Sequence, residues 1–167
     1  VVDKLQTAER YRQDFPDLID YDKNVAALKE VQPAPIKASD IAVRIGTSWI
    51  DKEIYKEFFC QLIDMPYYMR DGIELYYNKH DSSWRVDRTT SYARNYRSMK
   101  ITNVYGTSRA NAYRLFEDCL NQRFTQIYDT VLDEDGREKR VLNQSETVAA
   151  REKQNKIKEA FKDWIFA

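Results

Sequence analysis

Two hairpin signatures constrain this chain more than any other feature. In "GIELYYNKHDSSWRVDR" (residues 72–88), Ile73, Leu75 and Tyr77 fall on alternate positions, as do Trp84 and Val86 beyond the turn "KHDS". A period of two puts such side chains on one face of a pleated ribbon. In "TQIYDTVLDEDGREKRVLN" (residues 125–143), two short strands flank a turn with Asp135-Gly136 at its tip, a pair suited to tight hairpins. Most of the rest reads at helical spacing, and the order is helices, hairpin, helix, hairpin, helix. Without regular strand–helix alternation, a parallel nucleotide-binding sheet is excluded. The expected fold class is α+β: a small antiparallel sheet built from two hairpins, several helices packed around it, and a long C-terminal helix.

The helices can be placed from their stripes and caps. Leu5, Ala8 and Tyr11 share a face over residues 2–13, and "DFPD" breaks that helix. Asp17 is the expected N-cap of a second helix whose face carries Leu18, Tyr21, Val25 and Leu28. "QPAP" (32–35) reads as a stiff connector, because each proline fixes its own φ and restricts the residue before it. It divides the chain into an N-terminal helical segment, 1–32, and an α+β portion, 33–167. Ser39 and Gly46 read as the N-cap and C′ residue of a short helix. Asp51 caps the next, with Ile54, Phe58, Leu62 and Phe59 as its stripe. A short helix followed by a longer one also suggests a helix-turn-helix, but Glu53, Glu57 and Asp64 suit a phosphate-facing helix poorly. "TTSYARNYRSMKITNVY" (89–105) reads as an irregular loop with a strand near Lys100–Tyr105. Asn143, with Glu146 three residues on, starts the last helix in the manner of a capping box. Val148, Ile157, Phe161, Trp164 and Ile165 supply its apolar stripe, and its middle, "AREKQNK", reads as solvated.

Composition narrows the class. The 167 residues are 43% hydrophobic and 32% charged, with zero net charge, ordinary values for a globular domain. No apolar run approaches the roughly 18 residues that suggest a membrane span. The first residues are charged and lack a signal-peptide core. The expectation is therefore a cytoplasmic chain, and one cut from a longer protein, since it does not open with methionine. Cys60 and Cys119 lie in apolar helical patterns and read as buried free thiols. Two cysteines and the single His80 cannot build a four-ligand zinc site, so no metal is expected. His80 sits in a turn and reads as exposed.

The motifs of common enzymes are missing. None of the four glycines belongs to a P-loop or a G-x-G-x-x-G fingerprint. There is no H-E-x-x-H and no G-x-S-x-G. Glu117-Asp118 and Asp133-Glu134-Asp135 are sequence neighbours, which do not face one another on a helix. No catalytic residue and no cofactor are assigned.

Charge is unevenly spread. From Arg85 to Arg114 there are seven basic residues against the single acid Asp87, whereas residues 14–30 carry five acids against two lysines. A local basic excess can hold phosphates even when the total is neutral. Trp84, Tyr92, Tyr96 and Tyr105 are interleaved with these cations, and aromatic rings can stack on unpaired bases. In "YGTSRANAYRLFEDCLN" (105–121), Gly106 permits a sharp entry, Thr107 or Ser108 is the expected cap, and Ala112, Leu115, Phe116 and Cys119 face the core. The free N–H groups at such a helix start can take a phosphate. Arg109 in the first turn opposes the helix dipole, a cost that a nearby anion would offset. The candidate DNA-binding set is thus Arg85, Arg88, Arg94, Arg97, Lys100, Thr107, Ser108 and Arg109, with Trp84, Tyr92 and Tyr96 as stacking rings. The same residues also read as core aromatics and surface arginines, and the sequence leaves both readings open.

Four segments, "NVAALKEVQPAPIKASDIAVRIGTSWID", "VYGTSRANAYRLFEDCLN", "IYDTVLDEDGREKRVLNQSET" and "KQNKIKEAFKDWIF", resemble part of very large bacterial proteins from mobile genetic elements. Those proteins are similar to a fusion of an adenine-specific DNA methylase with a Swi/Snf-like superfamily-two helicase. The resemblance spans roughly residues 20 to 166 and places this stretch just before the helicase motor. It implies an ATP-dependent, DNA-acting enzyme as the parent, with ATP and S-adenosylmethionine used by the parent only. The methylase N-P-P-Y type motif and the motor's Walker motifs are absent here, so no catalytic residue carries over. The expected role is a non-catalytic accessory domain whose partners are DNA and the adjacent motor, with no membrane partner. The alternative is a structural or protein-docking spacer that braces the motor without touching DNA.

Overall fold

Asp51 begins the central helix: its side chain accepts a hydrogen bond from Glu53 N–H at 2.8 Å and satisfies one donor that the first helical turn leaves free. A computed structural model of the chain describes residues 2–16, 21–31 and 43–167, divided into two units, Val1–Ala42 and Val43–Ala167. The expected Asp17 cap, Leu18, the 32–35 connector, the 32/33 boundary and the Ser39 cap lie outside the described residues.

In the first unit, α1 (Val2–Asp14) packs on α2 (Tyr21–Glu30). Val25 of the α2 stripe is buried, and Tyr11 and Phe15 stack with ring centres 6.0 Å apart.

The second unit is α+β. It comprises α3 (Lys52–Leu62), a 3-10 turn (Tyr67–Gly72), β1 (Ile73–Asn78), β2 (Ser83–Arg88), α4 (Ser91–Asn95), a π-helical turn (Lys100–Val104), α5 (Ala112–Leu120), β3 (Tyr128–Leu132), β4 (Glu138–Leu142) and α6 (Gln144–Ile165). Both hairpins form, β1 antiparallel to β2 and β3 to β4, each as a separate two-stranded sheet. The first ribbon lies between helices: α3 packs against β1 and α5 against β2. Ile73, Leu75 and Trp84 are buried on its inner face. The core is aromatic: Phe59 stacks on Phe116 at 4.3 Å, and Phe58 meets Phe161 edge-on at 5.0 Å.

Three sequence expectations are corrected by packing. The buried α3 stripe is Tyr55, Phe58, Phe59 and Leu62, while Ile54 is exposed; the helix is rotated so that Tyr55 can reach inward. Residues 43–44 are not helical, and Gly46 instead belongs to a turn. Its φ is +89°, and a Cβ there would lie 2.1 Å from Leu120 O, so only glycine fits. Tyr55 and Trp84 sew this turn to the core. Gly46 N–H donates to Tyr55 Oη at 3.0 Å, Tyr55 donates to Thr47 O at 3.0 Å, and Trp84 Nε1 donates to Gly46 O at 3.0 Å. Lastly, the expected strand near Lys100–Tyr105 is the π-helical turn, closed by Tyr105 N–H donating to Lys100 O at 2.9 Å.

A two-stranded ribbon leaves both outer edges unpaired, and helix side chains fill that role here. Along β2, Trp84 N–H donates to Asn121 Oδ1 and Asn121 Nδ2 donates to Trp84 O, both at 2.8 Å, while Val86 N–H donates to Glu117 Oε2 at 2.8 Å. The extended stretch before β3 is held likewise by α6. Gln154 accepts from Thr125 N–H at 3.0 Å and donates to Arg123 O at 2.9 Å, and Thr147 Oγ1 accepts from Ile127 N–H at 3.0 Å. The inner face of α6 is therefore Thr147, Ala150, Gln154, Ile157 and Phe161. Val148 is exposed, and the middle of the helix, read as solvated, buries Gln154.

Replacing Gln154 with Leu keeps the volume but leaves Thr125 N–H and Arg123 O without partners. The expected cost is about 1–3 kcal/mol, read as a lower denaturant midpoint at unchanged m-value. An unchanged midpoint would mean that Gln154 does not serve the backbone in this way.

Candidate functional site

Six cations of the basic stretch divide into two groups, and the seventh, Arg114, donates from Nη2 to Gln126 O at 3.4 Å. Three of the six are taken up by carboxylates: Arg85 Nε lies 2.8 Å from Asp87 Oδ1, Lys100 Nζ 2.8 Å from Asp64 Oδ2, and Arg109 Nη1 2.8 Å from Asp129 Oδ1. Arg109 also donates to Tyr128 O at 2.9 Å. Its hydrogen bond, followed by that from Asn143, holds the Asp129 carboxyl below the usual range. Arg109 thus joins the loop before α5 to the second hairpin.

The helix start expected at Thr107 or Ser108 lies farther on. Asn111 is the N-cap of α5 and accepts from Arg114 N–H at 3.1 Å. Thr107 closes a turn instead, its Oγ1 accepting from Ala110 N–H at 3.0 Å and its N–H donating to Ala110 O at 2.7 Å. Ser108 is exposed in that turn. Gly106 is buried, and a Cβ there would come within 2.1 Å of Ile101 O, so the glycine serves close packing. Arg109 lies outside the helix, which removes the dipole argument for an anion beside it.

The second group is Arg88, Arg94 and Arg97. Arg94 folds back on the end of β2, Nε donating to Arg88 O at 2.8 Å and Nη2 to Thr89 O at 3.4 Å. Arg97 Nη1 donates to Arg94 O at 2.8 Å and Tyr96 O at 3.0 Å. The Arg88 guanidinium lies over the Tyr113 ring, 4.8 Å from its centre. None of the three forms an ion pair with a carboxylate among the described residues. Backbone carbonyls fix the direction of Arg94 and Arg97, and the Tyr113 ring underlies Arg88; none of these contacts compensates the positive charge. The short α4 between them is capped by Thr90, whose Oγ1 accepts from Ala93 N–H at 3.2 Å.

Tyr113 belongs to this group although it is absent from the candidate set read from the sequence. It is 6% exposed, and its hydroxyl has no hydrogen-bond partner among the described residues. Burial pushes its phenol up to about 12 against the opposing charge of Arg88 and, more weakly, of Arg97. It remains a proton donor at neutral pH. Its spacing of three from Phe116 was the available signal, but that spacing marks it only as a core residue.

The expected stacking rings separate in the same way. Trp84 is 5% exposed and packs against Tyr55 and Tyr77, so it cannot meet a base. Tyr96 packs against the core and donates to Asp64 O at 2.7 Å. Tyr92 is 71% exposed and remains available.

Other chemistry is sparse. Burial pushes the Cys60 and Cys119 thiols up to about 11 and about 12, so neither is a thiolate nucleophile near neutrality. Among the described residues no group of three or more His, Cys, Asp and Glu is placed to hold a metal. No helix among them is long and apolar enough to cross a membrane.

Cys60, Cys119 and Tyr113 each hold their proton more tightly when folded than at their ordinary values of 9.0, 9.0 and 10.0. The folded state keeps protons that the unfolded chain loses, so their contribution is fully present below about pH 9 and falls as pH rises towards 12. Thermal melts from pH 8 upward should show a falling Tm, less steep in a Cys119→Ala variant. Tyr113→Phe removes a hydroxyl without a partner, and Tm should stay the same or rise.

No curated protein and no solved structure matches the chain. Residues 44–167, nearly the whole of the second unit, match the family described as "Domain of unknown function (DUF8437)", and the chain belongs to that family.

Proposed function

We propose that this is a non-catalytic accessory domain that contacts DNA phosphates through Arg88, Arg94 and Arg97. One observation carries the reading: of three guanidinium groups within ten residues, two are aimed by backbone carbonyls and one lies over an aromatic ring, and none has a carboxylate partner among the described residues. Phosphate oxygens would supply the missing negative charge. The resemblance of the chain to helicase–methylase fusion proteins supports the same reading. In it the domain works in the cytoplasm beside a helicase motor in the same polypeptide, and ATP and S-adenosylmethionine are used elsewhere in that polypeptide.

Fluorescence anisotropy of labelled DNA at low salt tests this. Binding is expected in the range of about 1–100 µM, typical of non-specific contacts. The Arg94→Ala/Arg97→Ala double variant should lower the magnitude of the log K against log salt slope by about 2. Undetectable binding, or a slope unaltered in the double variant, removes the assignment.

One observation favours the second reading, a docking spacer. The β3–β4 ribbon is exposed along both strands, with Leu132 70% exposed and Val131, Val141 and Leu142 also open. A bare ribbon of this kind is marginal in water, and a neighbouring domain would cover it. In that case Leu132→Lys should abolish co-purification with the isolated motor while leaving Tm of this domain within a few degrees of the parent.

A further inference from the structure

The proposed phosphate contacts leave open which form of DNA is held. We infer that the form is single-stranded, with unpaired bases stacking on Tyr68 and Tyr92. This deepens the phosphate-contact reading and rests on it.

The 3-10 turn and α4 pack together. Thr89 N–H donates to Gly72 O at 2.8 Å, so the end of one element is fastened to the start of the other. Met69 and Ala93 turn inward at this joint, and the tyrosine just before each turns outward. Tyr68 is 78% exposed and Tyr92 71%. Tyr67 is exposed too, but Arg70 lies over its ring at 5.8 Å and is paired with Glu57, which makes that side less suited to a phosphate chain.

A tyrosine open to water offers an uncovered flat apolar face. Two of them on elements that pack together, with Tyr92 in the same short helix as Arg94, match what an unpaired strand presents: alternating phosphates and base faces. A duplex offers the phosphates but keeps its bases stacked inside. Double-stranded DNA would use the arginines and leave both rings idle. The pairing of exposed ring and unpaired cation therefore favours the single strand.

The test is anisotropy with the 167-residue chain, using a labelled oligonucleotide of about 20 nucleotides and its duplex in the same buffer. The single strand should bind about tenfold or more tightly than the duplex. Tyr68→Ala and Tyr92→Ala should each reduce single-strand affinity by about fivefold or more, and Tyr92→Phe, which keeps the ring, should retain it. Tyr76→Ala, an exposed tyrosine on β1, serves as the control and should change nothing. If the two alanine variants bind the single strand like the parent, or if the duplex binds equally well, stacking is wrong. The phosphate reading then survives provided that Arg94→Ala/Arg97→Ala still weakens binding. Absence of binding to either form overturns both.

Discussion

Unpaired ribbon edges are the constraint around which the second unit is organised. Among the described residues there are two hairpins and no third strand to flank either, so backbone groups along the outer edge of β2 and in residues 123–127 lack sheet partners. Glu117 and Asn121 on α5, and Thr147 and Gln154 on α6, supply the hydrogen bonds that another strand would have made. A buried backbone group without a partner costs more than most single contacts return. The orientation of both helices therefore follows from it. Glu117 and Asn121 are four residues apart, one helical turn, and Thr147 and Gln154 seven apart, two turns, so each pair faces a single edge.

The same constraint accounts for the basic stretch. Between β2 and α5 the chain must leave one ribbon edge, form the short α4 and return through a π-helical turn. In so irregular a path many carbonyls find no partner in a regular ladder, and arginine side chains supply donors to several of them. Arg94 and Arg97 cap carbonyls of their own segment, whereas Arg109 joins the loop to β3. Fixing an arginine by carbonyls differs from fixing it by a carboxylate, because the first leaves its positive field in place. The proposed DNA contact depends on that difference rather than on the number of basic residues.

Periodicity made both hairpins, the Asp51 and Asn143 caps, the core face of α5 and the burial of the cysteines readable from the sequence. Each depends on residues within a few positions of one another. Legibility stopped where a side chain serves a distant backbone. Gln154 in a polar run looked solvated because its partners, Thr125 and Arg123, lie some thirty residues away. Thr107 looked like a helix cap because Thr, Ser and Asn near a helix start are equivalent locally, but Thr107 closes a turn with Ala110 and Asn111 caps the helix. Trp84 looked available because alternation tells which side of a strand a residue takes, but not what covers that side.

By itself, then, the sequence determined the kinds of element, their order, and that basic residues and aromatics would share one stretch. Tertiary structure alone decided which of those cations kept an uncompensated charge, which rings stayed in water, and that Tyr113 would sit beneath Arg88 with its hydroxyl unpartnered. The physical reason is range: helix and strand periods are set by neighbours along the chain, whereas charge pairing and solvent exposure are set by residues such as Asp64, Asp129 and Gly46 that arrive from far along it.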